Sequence, residues 1–159
     1  MTTSDTTGGV SRIIAQRYRL GPRRGSGVDA ARFDAFDTQL QRIVTLRMVH
    51  PDLTSLESLR ERFRPTMDAT AAVHHPNIAP VLDWGVDLWN DREMFFVVYE
   101  QLGGGSLREL LDRGRRLTPS QALVVGLDAC KGLDALHRAG LLHGDIRPAA
   151  NGDAHIGPG

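Results

Sequence analysis

The stretch LLHGDIRP at residues 141–148 follows directly on a long helical segment. The residues TPSQ at 118–121 predict the start of that helix, because a capping hydroxyl is followed by proline and, three residues after the cap, by glutamine. We expect the helix to run to about Arg138 and to stop at Gly140. Its apolar residues lie on nearly all sides, which predicts burial in a core.

Cys130, the only cysteine of the chain, lies within this helix. A small buried core residue is the expectation in such apolar surroundings, and a reactive thiol is the alternative. A single cysteine cannot form an internal disulfide, so we expect a reducing compartment. No apolar run reaches the roughly 18–20 residues that span a bilayer, and the first residues lack the pattern of a secretory signal. The expected location is therefore the cytoplasm.

Strands are predicted upstream of this helix. The residues RIVTLRMV at 42–49 are rich in β-branched side chains and alternate in polarity, which indicates a strand. Two more strands are expected around 80–85 and 94–99, joined by a polar turn at 90–91. The pattern over this part of the chain favours five short strands around one helix.

The helix among these strands begins with TSLE at 54–57, a capping box. Its apolar stripe continues at spacings of three and four through Pro65. We expect a kink or a break near Arg64, because proline removes a helical hydrogen bond, and the continuing stripe favours the kink. Further on, Ser106 is expected to cap a short helix that extends through Asp112.

The composition is that of one soluble globular domain, with 159 residues, of which 41% are hydrophobic and 24% charged. The formal net charge is zero, which argues against nucleic acid or an anionic membrane as partner. Residues 1–11 are small and polar, and we expect them to be a disordered tail.

Four stretches occur in a fixed order: GSGVDA at 25–30, HPNI at 75–78, VVYEQLGGGSL at 97–107 and LLHGDIRP at 141–148. They resemble the glycine-rich loop, the turn after the first helix, the strand with the hinge and following helix, and the catalytic loop of protein kinases. The chain is similar to bacterial Hanks-type (eukaryotic-like) serine/threonine protein kinases.

This resemblance implies an α+β fold. A kinase-like N-lobe, with a five-stranded antiparallel sheet and one helix, is expected at 12–102. A partial helical C-lobe, with two helices and the catalytic loop, is expected at 103–159. The sequence shows no D-F-G segment and nothing that resembles the later parts of the family, so we expect a truncated and degenerate member.

The resemblance also assigns nucleotide contacts. Arg47 takes the place of the lysine that holds two phosphates, and arginine offers a larger planar fork in its stead. The glycine-rich loop brings backbone N–H groups to the phosphates, and the hinge backbone receives the adenine at the Glu100 carbonyl and the Leu102 amide. The implied cofactor-binding residues are Gly25, Gly27, Arg47, Glu100 and Leu102.

Several positions around that site depart from the family. Ala30 stands where the third glycine is expected, and Arg32 replaces the apolar residue that lies over the adenine. Thr45 replaces an alanine and narrows the adenine slot, next to a bulky residue at Tyr99. These exchanges predict at most weak binding of ATP or ADP, so no cofactor is expected to be required.

The ion pair that orients the lysine in the family is expected to be missing. Thr66 aligns with the glutamate of that pair, directly after Pro65. Glu57 and Glu61 lie at least a turn away, and Asp68 points to another side of the helix. A slip in register that recruits one of these carboxylates is the alternative.

Asp145 matches the catalytic base of the family and is expected to be a vestigial one. Ala150 stands where a metal-binding asparagine belongs, and the metal-binding aspartate of D-F-G has no counterpart. We therefore expect no metal ligands and no Mg²⁺ site. Asp153 as a substitute ligand is the alternative, and a turn aspartate is favoured.

Three functions remain open. The first is a pseudokinase module in signalling that acts through protein contacts, with a protein partner or a second copy at the apolar face of helix 118–138. The second is an ATP-binding serine/threonine kinase with weak or residual activity. The third is a truncated fragment without independent function.

Overall fold

The computed structural model describes residues 12–26, 30–49, 56–89, 91–101, 103, 106–144 and 146. These residues form one sheet and three helices. The strands are β1 (Ile13–Ile14), β2 (Tyr18–Ser26), β3 (Ala30–Asp37), β4 (Arg42–Val49), β5 (Val81–Trp89) and β6 (Arg92–Glu100). The helices are α1 (Leu56–Ala71), α2 (Leu107–Asp112) and α3 (Pro119–Arg138).

The sheet has six strands in the order β1-β2-β3-β4-β6-β5, and each neighbouring pair is antiparallel. The strand predicted at 42–49 has the bounds of β4. The predicted fold class, an antiparallel sheet with one helix followed by further helices, is confirmed. The structure adds β1, a strand of two residues that pairs with β2, to the five that the sequence predicts.

The two outer strands of the sheet approach each other, so the sheet curls towards a closed barrel. The Arg12 guanidinium donates to the Leu88 carbonyl at 2.7 Å, and the Ala15 N–H donates to the Asp87 carboxylate. Arg17 lies 3.4 Å from Asp83 on β5. We call this junction of β1, the start of β2, the end of β3 at Asp37 and strand β5 the seam.

Apolar side chains fill both sides of the sheet. The inner side carries the larger core, in which Val44, Leu46 and Val98 are completely buried. The opposite side, here called the helix-facing side, packs against α1 through Met67 and Phe63. Alternation along each strand separates the two sets, as expected where both faces of a sheet are covered.

Helix α1 continues through Pro65, so the predicted alternative of a break near Arg64 is wrong. Its sheet-facing stripe agrees with the predicted spacing: Met67 and Thr70 are buried and Phe63 is half-buried. The ring of Phe63 lies 4.8 Å from that of Phe95, between centroids. Packing of this stripe holds the helix across the proline, since tertiary contacts supply most helical stability in proteins.

Both C-terminal helices begin with the predicted capping boxes. Ser106 accepts from the Glu109 N–H, and Thr118 accepts from the Gln121 N–H, with the reciprocal side-chain bonds also present. Helix α3 ends at Arg138, and Gly140 then adopts a φ of 73°. A positive φ of this kind suits glycine at a helix end.

One narrow strip of α3 contacts the N-terminal half of the chain. A Cβ built on Gly132 would lie 2.8 Å from the Asn77 carbonyl oxygen, so only glycine fits at this contact. Gly132 and Leu136 are the buried residues of α3. Much of the helix is exposed, and Cys130 is exposed as well, so the prediction of a buried core cysteine is wrong. The apolar residues of α3 indicate that the helix is able to bury this surface. No described residue covers the part of the helix around Cys130.

Candidate functional site

The site predicted from the sequence lies on the helix-facing side of the sheet. Strand register places four residues in one row across β3, β4, β6 and β5: Arg32, Arg47, Val97 and Trp84. Directly opposed residues in antiparallel strands point to the same face. Val97 and Trp84 pack in the cluster under α1, so Arg47 and Arg32 share that face.

The next row along the strands contains Asp34, Thr45, Tyr99 and Val81. Tyr99 is buried in the cluster with Met67. Its predicted place beside an adenine slot stays a prediction. Thr45 lies directly opposite Tyr99. The two side chains together occupy the part of the sheet that leads from Arg47 to the hinge.

Asp34 is a member of this site that the sequence interpretation missed. Its carboxylate forms an ion pair of 2.8 Å with the Arg24 guanidinium on β2. The signal was present in the alternation of AARFDAFD at 30–37, which puts Arg32 and Asp34 on one face of β3. The site therefore contains a carboxylate that is already paired with an arginine.

The ion pair between strand and helix that the family would supply does not form among the described residues. Arg47 is half-buried and has no carboxylate within 4.0 Å in the described part of the chain. Glu61 and Asp68 are exposed on α1, and neither pairs with it. The side chain of Glu57 lies outside the described residues, so that part of the register-slip alternative stays a prediction.

Thr66, the residue aligned with the missing glutamate, sits on α1 between Phe63 and Met67. Its carbonyl accepts a hydrogen bond of 2.7 Å from the Thr70 hydroxyl one turn later. A threonine side chain has no charge to offer a guanidinium. The helix thus approaches the sheet through apolar and hydroxyl groups at this point.

The hinge is described only in part. Glu100 ends β6 with an exposed side chain, and its N–H donates to the Pro80 carbonyl at 3.2 Å. Leu102 lies outside the described residues, so its predicted amide contact stays a prediction. Gly25 lies near the end of β2, where the register with β3 shifts between Arg23 and Ser26. Such irregularities bend a strand locally.

Two other predicted residues, Gly27 and Asp145, also lie outside the described residues. The described neighbours of Asp145 show how the loop starts: the Leu141 N–H donates to the Leu136 carbonyl at 2.9 Å, and Gly144 has a φ of 73°. Within the described residues, no group of three His, Cys, Asp or Glu side chains is arranged to hold a metal ion. None of the described helices combines the length and apolarity needed to cross a bilayer.

Two side chains at the seam, away from this site, have strongly shifted pKa values. The Arg17 guanidinium donates to both oxygens of Asp37, at 2.9 and 2.7 Å, and the Gln39 and Leu40 N–H groups donate to the same carboxylate. These bonds, led by the one from Arg17, lower the pKa of Asp37 to about 2. Burial, followed by a hydrogen bond to Asp83, raises the pKa of Tyr18.

Comparison with known proteins identifies the family. The sequence profile described as protein tyrosine and serine/threonine kinase matches residues 18–151. The chain therefore belongs to the protein kinase family.

Relatives in bacteria agree with this assignment. The chain is 38% identical over 138 residues to a probable serine/threonine-protein kinase of Streptomyces coelicolor, covering 87% of this chain and 20% of that protein. It is 32% identical over 136 residues to the serine/threonine-protein kinase PknB of Mycobacterium tuberculosis, covering 86% and 22%. The chain thus spans about a fifth of the length of these relatives.

The fold is shared with a solved structure, the crystal structure of a mutant PknI kinase domain of Mycobacterium tuberculosis. The TM-score is 0.73 at 21% identity, over 90% of this chain and 57% of that one. At this identity the likeness supports the fold alone. It agrees with the predicted α+β architecture of an antiparallel sheet followed by a partial helical lobe.

Proposed function

We propose that this chain is a degenerate kinase-like domain that does not transfer phosphoryl groups and acts through protein contacts. The observation that carries the proposal is the state of Arg47, which lies at the position of the phosphate-holding lysine and has no carboxylate partner among the described residues. Kinase catalysis depends on that ion pair and on metal ligands being in place together.

The typical rate effect of removing a catalytic group supports the proposed loss of activity. Removing one preorganised electrostatic group typically lowers the rate by about 10²–10³-fold. Here Thr66 stands at the glutamate position and Ala150 at that of a metal-binding asparagine. Effects of groups that act as a unit are not additive, but the loss of the ion pair and of a metal ligand together leaves little to stabilise the transferring phosphoryl group.

The surface proposed for these protein contacts is the exposed apolar face of α3. Leu123 is 74% exposed and Leu127 57% exposed, and Val124 lies beside them, also exposed. Contiguous apolar surface of this kind usually marks a site of protein contact. Its burial is favourable by about 25 cal/mol per Å². A second copy or another protein that covers this face would gain that free energy.

The experiment is a matched pair of substitutions. Leu127 and Leu40 are equally exposed, at 57%, but Leu40 lies in the turn between β3 and β4. We expect Leu127→Glu to abolish self-association and Leu40→Glu to leave it unchanged, measured by light scattering at about 100 µM, where a micromolar dimer is populated. A monomeric wild-type chain at that concentration would exclude self-association. Non-specific aggregation in place of a defined oligomer would favour a fragment without independent function.

A second candidate function is nucleotide binding with weak or residual kinase activity. The sequence match at Asp145 and the backbone groups of Glu100 favour it, since backbone groups survive side-chain exchange. It predicts that ATP or ADP raises the melting temperature, because a ligand that binds only the native state stabilises it. A shift that requires Mg²⁺ and is lost in Asp145→Ala would rank this candidate first.

A cytoplasmic location fits either candidate. Cys130 is the only cysteine, and it is exposed, so a reducing compartment would keep it as a thiol. Detection of the chain in a fractionated cell by an antibody tests this.

A further inference from the structure

The turn between α2 and α3 carries a cluster of positive charges, and we call residues 113–116 the basic turn. Arg113, Arg115 and Arg116 are exposed, and none of them forms an ion pair within the described part of the chain. Each arginine and lysine of the two helices themselves, in contrast, pairs with an aspartate one turn away. These pairs are Arg108–Asp112, Lys131–Asp128 and Arg138–Asp134.

The backbone of the basic turn is held by hydrogen bonds on its α2 side and by a helix cap on its α3 side. The N–H groups of Arg113, Gly114 and Arg115 donate to carbonyls in the last turn of α2, at 3.2, 3.0 and 3.2 Å. Gly114 has a φ of 75°, which suits glycine after a helix end. Leu117 is half-buried, and Thr118 caps α3. The guanidinium groups extend from a fixed backbone, which lowers the entropy cost of binding a partner.

The residues that follow the basic turn form an uncharged part of α3. The sequence PSQALVVGL at 119–127 contains no charged side chain, and all of it is exposed. Leu123, Val124 and Val125 follow one another at steps of about 100° around the helix, so apolar side chains lie on several sides of it. An apolar surface therefore adjoins the basic turn whichever side of α3 the guanidinium groups lie on.

The distribution of charge indicates which kind of macromolecule this surface binds. The positive charge is confined to one turn, and the formal net charge of the chain is zero. Nucleic acids and anionic membranes are held by extended basic surfaces. An amphipathic protein helix, by contrast, presents a few charges beside an apolar stripe. Carboxylates suit the arginines, because a guanidinium group binds a carboxylate with two parallel hydrogen bonds.

A second copy of the chain offers no matching negative charge along α3. In a parallel pair of α3 helices the two basic turns would lie side by side and repel each other. In an antiparallel pair each basic turn would lie beside the C-terminal half of the other helix. There Asp128 and Asp134 are already paired, with Lys131 at 3.1 Å and Arg138 at 3.0 Å.

We propose that the basic turn and residues 119–127 of α3 together bind an amphipathic helix of another protein, whose apolar stripe is flanked by glutamates or aspartates. The apolar stripe of that helix covers the leucines and valines of α3, and its carboxylates pair with the arginines of the basic turn. The inference rests on the proposed function, because it names the partner of the same α3 surface.

Two synthetic peptides serve as probes. Both have leucine at every third or fourth position, as in an amphipathic helix, and one carries glutamate where the other carries lysine. We expect the glutamate peptide to bind in fluorescence anisotropy, and the lysine peptide to bind at least about tenfold more weakly. Added salt should weaken the binding of the glutamate peptide, because part of the attraction is between charges.

Charge reversal locates the site. We expect the combined change Arg115→Glu and Arg116→Glu to weaken binding of the glutamate peptide by about tenfold and to strengthen binding of the lysine peptide. A reversed preference of this kind cannot arise from poor folding. The matched control is Arg23→Glu with Arg42→Glu, two exposed arginines of the sheet, which changes the net charge equally. Equal effects of the two double variants would mean that binding follows net charge, which contradicts a site.

Leu127→Glu separates this inference from the proposed function. Equal binding of both peptides, lost in Leu127→Glu, would overturn the inference and leave α3 as a contact surface. The inference would also fall if the glutamate peptide did not bind at about 100 µM while the chain formed a defined oligomer that Leu127→Glu abolishes. The occupant would then be a second copy. Absence of both peptide binding and a defined oligomer would contradict the inference and the proposed contact together.

Discussion

The seam and the helix-facing side of the same sheet both carry arginines and aspartates, but they use them differently. At the seam, Arg17 is matched by Asp37 and Asp83, and the Asp37 carboxylate also accepts from two backbone N–H groups. On the helix-facing side, Arg47 has no carboxylate partner among the described residues. The charges that hold the fold at the seam are paired, while Arg47, at the position aligned with the family's phosphate-holding lysine, lacks a carboxylate partner in the described part of the chain.

The largest expected effect comes from removing the seam carboxylate. Asp37 is 1% exposed, so Asp37→Ala leaves Arg17 and two backbone donors without their acceptor. We expect a loss of about 2–4 kcal/mol of unfolding free energy, as for a broken buried ion pair with a partly exposed partner. Urea unfolding followed by circular dichroism measures it.

The control for that substitution is Asp34→Ala. Asp34 also pairs with an arginine, but the Arg24 side chain is 60% exposed. Surface pairs contribute about 0–1 kcal/mol, so the loss should be small. Equal losses from the two substitutions would remove the distinction between the two regions.

We expect the loss of unfolding free energy at low pH to come from the seam. The pKa of Asp37 falls from 3.8 to about 2 on folding, chiefly through Arg17. A carboxylate whose pKa is lowered by folding stabilises the fold fully at a pH above the pKa that it has in the unfolded chain. That contribution is lost as the pH falls through the pKa that it has in the folded chain. We expect about 1–2 kcal/mol, after allowance for solvent screening at Arg17, to be lost between about pH 4 and pH 2. Urea titrations across that range should show the loss in the wild type and a much smaller one in Asp37→Asn.

A smaller effect is expected from backbone strain at the seam. Ala15 and Gln16 in the turn before β2 have φ values of 52° and 54°, which L side chains rarely adopt. We expect Gln16→Gly to raise the unfolding free energy by about 0.5–1 kcal/mol. Gly114→Ala should act in the opposite direction, because Gly114 has a φ of 75° and open space around it. Thermal melts of both variants provide the comparison; a drop for Gln16→Gly would speak against strain.

Local patterns predicted much of this fold. Strand β4 was predicted with its bounds because it is rich in β-branched residues and alternates reasonably well, and α3 was predicted from its capping box and glycine stop. Strand β1 was missed, since two isoleucines carry no period and become a strand only by pairing with β2. The bonds from Arg17 and Tyr18 to Asp83 on β5 join residues 65 or more positions apart, a separation that no local pattern reveals.

The site was predicted less completely than the fold. Alignment to motifs assigned Arg47, Thr45 and Tyr99 to the surroundings of a nucleotide, which stays a prediction, and the register puts them on two neighbouring rows of the sheet. The pairing of Asp34 with Arg24 depends on where strands meet and was not foreseen. The exposure of Cys130 was mispredicted for a related reason: an apolar helix indicates a capacity for burial, but burial also requires a covering surface, which the described residues do not supply there.

The most direct test of the account is transfer of labelled phosphate from ATP, with Mg²⁺, to the chain itself and to a general protein substrate. We predict no incorporation above that of a sample without the protein. Incorporation that depends on Mg²⁺ and disappears in Asp145→Ala would contradict the account.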